Sequence, residues 1–240
     1  MKHKRTFNYK ETSCTITADS EAAIEIAISS IKHHRSQLEN YIRKNPKFLH
    51  SLKPVQVYKG PVIARLMAEA AERAGVGPMA AIAGALADLA VEDMVSTGAK
   101  IAVVENGGEV YAISDTPINV ALAAGDSPLS KRIGFRLEDF PIGVATSSGL
   151  YSHAISFGEA EAVTIFAENA RVADAAATAV GNLVKGEDWH EAVECGIAKA
   201  LSIKGVRGVL ILYRGLVGKA GEIPKMLKLS TASKSGKQAP

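Results

Sequence analysis

Gly143 to Asn182 reads GVATSSGLYSHAISFGEAEAVTIFAENARVADAAATAVGN, which sets a Ser/Thr-Gly loop, a short apolar run and a small-residue helix in succession. Val144–Ser148 and Ala162–Phe166 read as strands, and Asn169 is a good N-cap for the helix that follows. Asp174 and Thr178 stand four residues apart on that helix, so a carboxylate and a hydroxyl project from one face. Two hard oxygen donors so placed suit Mg²⁺ held against a phosphate. Ala173, Ala175, Ala176, Ala177 and Ala179 are small enough for a ligand to approach closely. A plainer account stays open. A carboxylate in the first turns is favoured by the helix dipole, Thr178 can bond back to the carbonyl of Asp174, and alanines permit tight packing on a sheet.

Upstream, TSCTITA over Thr12–Ala18 alternates as a strand does, and Asp19 or Ser20 then caps an amphipathic helix from about Glu21 to Lys44. His33, His34 and Arg35 on it are expected to form a solvated face. A linker covers 47–59. Pro61 opens a helix over Val62–Ala74 that ends at Gly75, and a third helix runs from about Met79 to Thr97. The first half of that helix, AAIAGALA, permits close backbone approach either to a neighbouring helix or to a ligand. Ile101–Val104 and Glu109–Ser114 read as strands joined at Asn106-Gly107-Gly108, since Asn-Gly between apolar runs is a strong hairpin signal. Glu105 would flank that turn. Pro117–Ala123 reads as a further strand, and Gly125–Asp139 as a polar loop whose Lys131 and Arg132 could meet phosphate or simply be solvated. Asp188 caps a last helix over Trp189–Leu201, Gly208–Tyr213 is a strongly apolar strand, and Gly215–Gly221 is a glycine-rich return. The alternation of helices with hairpins predicts an α+β fold of two related halves, about 1–125 and 126–229, with antiparallel strands covered by helices. A tail over 230–240, rich in Ser, Lys and Gly, is expected to be disordered.

The chain of 240 residues is 47% hydrophobic and 22% charged, ordinary for a globular domain, and it can bury a sizeable core. Its formal charge of +3 owes much to Lys225, Lys228, Lys234 and Lys237 near the end. The rest is close to neutral, which argues against a nucleic-acid partner. The beginning, MKHKRTFNYKETSCT, lacks the apolar core of a secretory signal, and the longest apolar run, Met79–Val91, is too short to span a bilayer. Cys14 and Cys195 are far apart and suggest neither a disulfide framework nor a metal spacing. A reducing cytoplasm is the expected location, with no membrane partner. The smooth helix and the apolar C-terminal strand leave a homodimer open.

Ala173-Asp174-Ala175-Ala176-Ala177-Thr178-Ala179 resembles the ADALATA signature of the ApbE-type flavin transferases. Ser148-Gly149-Leu150-Tyr151 is similar to that family's Ser-Gly-x-Tyr turn, and Asn106-Gly107-Gly108-Glu109 to its Asn-x-Gly-Gly-Asp turn with one residue fewer. AAIAGALADLAVEDMV, from Ala80 to Val95, has the register of the family's GGIAKGYAVDRAAELL. Gly84-Ala85 replaces the family's Lys-Gly, Leu89 occupies its Asp position with Asp88 one residue early, and only His153 remains of its His-x-Ile-Asp-Pro stretch. No lipobox cysteine is present at the beginning. The whole pattern resembles a compact branch of the superfamily found largely in archaea and some anaerobic bacteria, which has been linked to sulfur incorporation during homocysteine synthesis.

The resemblance implies a duplicated α+β fold and a dinucleotide pyrophosphate against the N-terminal part of the signature helix, bridged by Mg²⁺. Asp174, Thr178 and the backbone carbonyl of Ala83 would be the metal ligands, and amides near Ser148 and Gly149 further donors to phosphate. FAD would be the cofactor, its ring covered by Asn106, Gly107, Gly108 and Tyr151, and Asp174 the catalytic residue. In the family FAD is split to AMP and an FMN group attached to a threonine of a protein acceptor. A second reading makes the chain a sulfur-transfer protein whose cysteine carries a persulfide. Cys14 is its better catalytic candidate, with Lys10 nearby, over Cys195 beside Glu194, and such a carrier needs a reachable thiolate. A third reading is a non-enzymatic flavin-binding or assembly protein.

Overall fold

The computed structural model describes residues 2–122, 132–149 and 158–229. Tyr151, His153 and Lys131 lie outside the described residues, as do the expected boundary near 125 and the expected tail 230–240.

The chain opens with a hairpin of β1 (His3–Tyr9) and β2 (Thr12–Ala18). The sequence reading did not contain β1, because this edge strand has charged or polar residues on both faces and buries only alternate positions in part. Ser20 caps α1 (Glu21–Lys44), its hydroxyl accepting from the Ala23 amide at 3.2 Å, and Ile24, Ile28, Ile31 and Leu38 turn one stripe inward. His34 departs from the expected solvated face. It is buried on α1, and Arg35 is tied to Glu11, Thr12 and Glu39. The expected linker contains the short helix α2 (Pro46–His50), which buries Phe48 against Tyr41. Next come α3 (Val62–Ala74), stopped by Gly75 at φ +80°, and a tight turn over Pro78–Ala81 that leads into α4 (Ile82–Ser96).

After α4 the chain forms β3 (Ile101–Asn106), β4 (Glu109–Ser114) and β5 (Ile118–Ala121). It continues through β6 (Ile133–Leu137), β7 (Ile142–Ser147) and β8 (Ala162–Ala167) to α5 (Ala170–Gly181) and α6 (Trp189–Ser202). The described residues close with β9 (Val206–Tyr213), β10 (Leu216–Gly221) and β11 (Lys225–Lys228). Eight strands make one antiparallel sheet in the order β1-β2-β3-β4-β7-β8-β9-β10. Its two four-strand parts repeat one plan, hairpin, helices, hairpin, with α1–α4 inserted in the first and α5–α6 in the second.

β5, β6 and β11 form a second, three-stranded sheet. The expected loop over Gly125–Asp139 therefore contains a strand, hidden among polar neighbours, and Lys225 and Lys228 lie on β11. The helices cover one face of the large sheet. Phe135 of β6 meets Phe166 of β8 edge to face, within an apolar cluster between the two sheets that also holds Ile142 and Leu210.

Candidate functional site

The start of α5 is clasped by backbone on two sides. A Cβ at Gly84 of α4 would lie 2.3 Å from the Ala170 carbonyl oxygen, and one at Gly143 of β7 would lie 2.0 Å from the carbonyl carbon of Asn169. The smooth face of α4 thus serves close helix packing, and the alanines around Asp174 are packed in the core rather than cleared for a ligand. Asp88, fully buried in the otherwise apolar first part of α4, supplies the charge that this junction needs. Its carboxylate accepts from the amides of Ala170 (2.8 Å) and Arg171 (3.1 Å) and pairs with the Arg171 guanidinium at 2.8 Å. Burial still pushes its pKa up to about 6, against the pull of Arg171 and the two amides. Asn169 takes the Val172 amide at 3.0 Å. With these amides taken, the N-terminus of α5 offers no cradle for a phosphate, and the expectation of one there is corrected.

On α5 only Arg171, Asp174 and Thr178 are not buried, a single stripe at i, i+3, i+7. Asp174 Oδ2 accepts from the Gly84 amide at 3.0 Å, and the Ala83 amide also bonds to this carboxylate, so Asp174 caps the start of α4. Ala81, at the N-cap position of α4, has no side-chain bond of its own. The Ala83 carbonyl in turn accepts from Asn106 Nδ2 at 3.0 Å. Ala83, Asn106 and Asp174, expected separately, are thereby joined through the first turn of α4.

Both glycines of the turn between β3 and β4 need their conformation, with φ of +71° at Gly107 and +117° at Gly108. Their amides are occupied, Gly107 donating to Ser13 O (3.1 Å) and Gly108 to Glu105 Oε1 (3.0 Å). The turn delivers Glu109, which sequence reasoning left without a role. Glu109 is the cross-strand partner of Asn106 and so faces the helices. Burial, with a contribution from Glu105, pushes its pKa up to about 7. Asp174 is raised well above the carboxylate range by burial first and then by Glu109. Its place directly after Asn-Gly-Gly was the available signal for Glu109; a lone charge inside AAIAGALADLAV was the signal for Asp88.

Ser148 and Gly149 lie toward the other end of α5. Ser148 is buried, and the Gly149 amide donates to the Ala160 carbonyl at 2.9 Å. Gly149 abuts Gly158, and Gly158 abuts the carbonyl of Gly181 at the end of α5. The Gly149 amide is thus spent within the fold. Cys14 sits opposite Asn106 in the β2–β3 register, 1% exposed, its thiol pushed up to about 12 by burial and by Glu105. It is neither reachable nor inclined to ionise, so it lends no support to the sulfur-carrier reading. Cys195 is exposed on α6.

The donors around Asp174 suit a hard cation. They are a carboxylate crowded by a second acidic side chain, a backbone carbonyl, and the Thr178 hydroxyl, which makes no hydrogen bond among the described residues. Those residues include no group of three His, Cys, Asp or Glu able to hold a metal. That count excludes a closed cage of such side chains. A hard cation such as Mg²⁺ keeps several waters and is commonly held by one or two carboxylates together with ligand phosphates.

The family described as AbpE bacteria matches residues 1–205. The UPF0280 protein of Methanocaldococcus jannaschii is 40% identical over 233 residues, covering 95% of this chain and 94% of its own length. That of Methanosarcina acetivorans is 41% identical over 228 residues, covering 94% and 89%. Among solved structures, the apo form of the Pseudomonas stutzeri flavinyl transferase ApbE superposes with a TM-score of 0.58 at 16% identity, over 92% of this chain and 94% of that one. The ApbE protein of Thermotoga maritima gives 0.57 at 15%, over 95% and 97%. These two likenesses establish the fold. No single helix among the described residues is long and apolar enough to cross a membrane.

Proposed function

The chain belongs to the AbpE bacteria family, with UPF0280 proteins as its relatives, and on that footing we propose that the face of α5 bearing Asp174 and Thr178, beside the first turn of α4, binds a nucleotide pyrophosphate, FAD foremost, through Mg²⁺. The observation that carries this reading is the open stripe of α5. Asp174 and Thr178 stay partly exposed on a helix that is otherwise buried apart from Arg171, and Glu109 crowds Asp174. Two neighbouring carboxyl groups with raised pKa values are the environment a divalent cation relieves.

Asp174, Thr178 and the Ala83 carbonyl would hold the ion. Bound there, Mg²⁺ supplies positive charge against the pyrophosphate oxygens. Asn106 fixes the direction of the Ala83 carbonyl, and Asp174 keeps its orientation by capping α4 at the Gly84 and Ala83 amides. Gly107 and Gly108 present a turn with no side chain against the ligand. The replacement of the family's lysine by Gly84 follows from packing, because no side chain fits between α4 and Ala170. The named solved neighbour is a flavinyl transferase, and flavin transfer to a protein acceptor is the reaction we assign to the bound nucleotide.

Incubation with FAD, with and without Mg²⁺, tests this by chromatography of released AMP and by protein-bound flavin absorbance. Metal-dependent AMP release is expected as the pyrophosphate bond breaks, the FMN phosphoryl group passing to an acceptor hydroxyl or, with no acceptor supplied, to water. Neither flavin binding nor AMP release in the presence of Mg²⁺ would refute the reading.

A further inference from the structure

A cavity of about 300 Å³ lies on the helix-free side of the large sheet, between β2–β4 and the strand β5 with Leu122. Its floor consists of two neighbouring cross-strand rows. One runs Lys4–Thr17–Val103, the other Thr15–Glu105–Val110. Lys4 and Glu105 stand at opposite corners, two strands apart, roughly 10 Å in the direction across the sheet. The two threonine hydroxyls lie between them, and Val103, Val110, Ile118 and Val120 provide apolar surface.

The charges at the corners are not spent on each other. Lys4 makes no ion pair or hydrogen bond among the described residues, and Glu105 uses Oε1 for the Gly108 amide while Oε2 has no partner there. A cation and an anion held apart over apolar surface, with hydroxyls between, match a ligand carrying both charges. A purely anionic or purely cationic ligand would leave one corner facing its own sign.

We propose that this cavity binds a small zwitterion of the amino-acid class, its carboxylate at Lys4 and Thr17 and its ammonium at Glu105 and Thr15. The cavity lies on the opposite face of the sheet from Asp174, and the strand that carries Glu105 into it carries Asn106 to the helix side. Glu105 holds the turn that carries Asn106 and Glu109. Occupancy at Glu105 would therefore steady that turn.

Calorimetric titration in the absence of metal and nucleotide tests the inference independently of the Mg²⁺ reading. The probes are L-2-aminobutyrate, 4-aminobutyrate and 6-aminohexanoate, with butyrate and n-butylamine as single-charge analogues. At least one zwitterion is expected to bind, with both analogues weaker by roughly tenfold or more, the consequence of leaving one charged corner unpaired. Lys4→Met, on an exposed edge position, and Glu105→Gln, which keeps an oxygen for the Gly108 amide, are each expected to lose roughly tenfold or more of that affinity, with thermal unfolding checked to be unchanged. No zwitterion binding, equal binding of the analogues, or undiminished binding by the two folded variants would overturn the assignment.

Discussion

Asp88 and Asp174 cap each other's helices. Asp88, on α4, accepts from the Ala170 and Arg171 amides at the start of α5, and Asp174, on α5, accepts from the Gly84 amide at the start of α4. The two carboxylates are not equivalent. Asp88 is sealed and paired with Arg171, whereas Asp174 lies on the open stripe and faces Glu109. One is sealed into the helix junction, and the other is partly exposed beside a second acidic side chain.

Asp88→Asn should cost stability. It leaves the Arg171 guanidinium without its buried counter-charge and removes one of two strong acceptors at the α5 N-terminus, so a loss of about 3 kcal/mol is expected. Urea denaturation measures it. A loss below about 1 kcal/mol would mean that Arg171 turns to Glu92, already 3.8 Å away.

Gly84→Ala should drive α4 and α5 apart, since the added Cβ meets the Ala170 carbonyl oxygen at 2.3 Å. Overpacking of this kind costs roughly 1–3 kcal/mol or more, and Gly84→Lys should cost at least as much. Thermal unfolding of both variants checks this. The second also tells whether the family's lysine can be restored.

The pH dependence has a definite sign. Glu109 is raised from its ordinary value to about 7. Between the two values the folded protein holds more protons there than the unfolded chain, so its contribution to stability falls as pH rises through this window and is level above it. Metal-free wild type should accordingly lose stability relative to Glu109→Gln from about pH 4 to about pH 7. Added Mg²⁺ should stabilise wild type more at pH 8 than at pH 5. Melting temperatures across this range check both.

Thr178→Val keeps the shape of the side chain and removes its oxygen, whereas Thr178→Ser keeps the oxygen. Metal-linked nucleotide affinity should fall roughly tenfold in the first and stay within about twofold in the second. Equal affinities would remove Thr178 from the metal shell.

Native iodoacetamide labelling should modify Cys195, which is exposed, and spare Cys14, which is buried with a thiol near 12. Intact-mass analysis and peptide mapping distinguish the two.

Much of this site was legible in the residues. The spacing of Asp174 and Thr178 defines one helix face without any tertiary knowledge, and Asn106-Gly107-Gly108 announces its turn by composition. What stayed hidden depends on contacts between distant parts of the chain. Asp88 meets Ala170 across 82 residues, so its apolar surroundings mark it as unusual without naming the helix start that it caps. Gly84 permitted two readings until Ala170 was found against it. Cys14 looked favourable from its neighbours Ser13, Thr15 and Lys10, yet its burial is decided by α1 and by β3. β1 and β6 escaped because their polar residues are tolerated at a sheet edge and in a small outer sheet, where one face remains wet.

The central claim is that Asp174 carries a metal-dependent nucleotide site, and FAD affinity titrated with and without Mg²⁺ in wild type and Asp174→Asn tests it most directly. Asn retains an oxygen for the Gly84 amide but brings no charge. Wild type should bind FAD tightly only with Mg²⁺, and the variant should lose more than about tenfold, at least 1.4 kcal/mol, of that metal-dependent affinity. An Asp174→Asn protein whose Mg²⁺-linked affinity equals that of wild type would contradict the account.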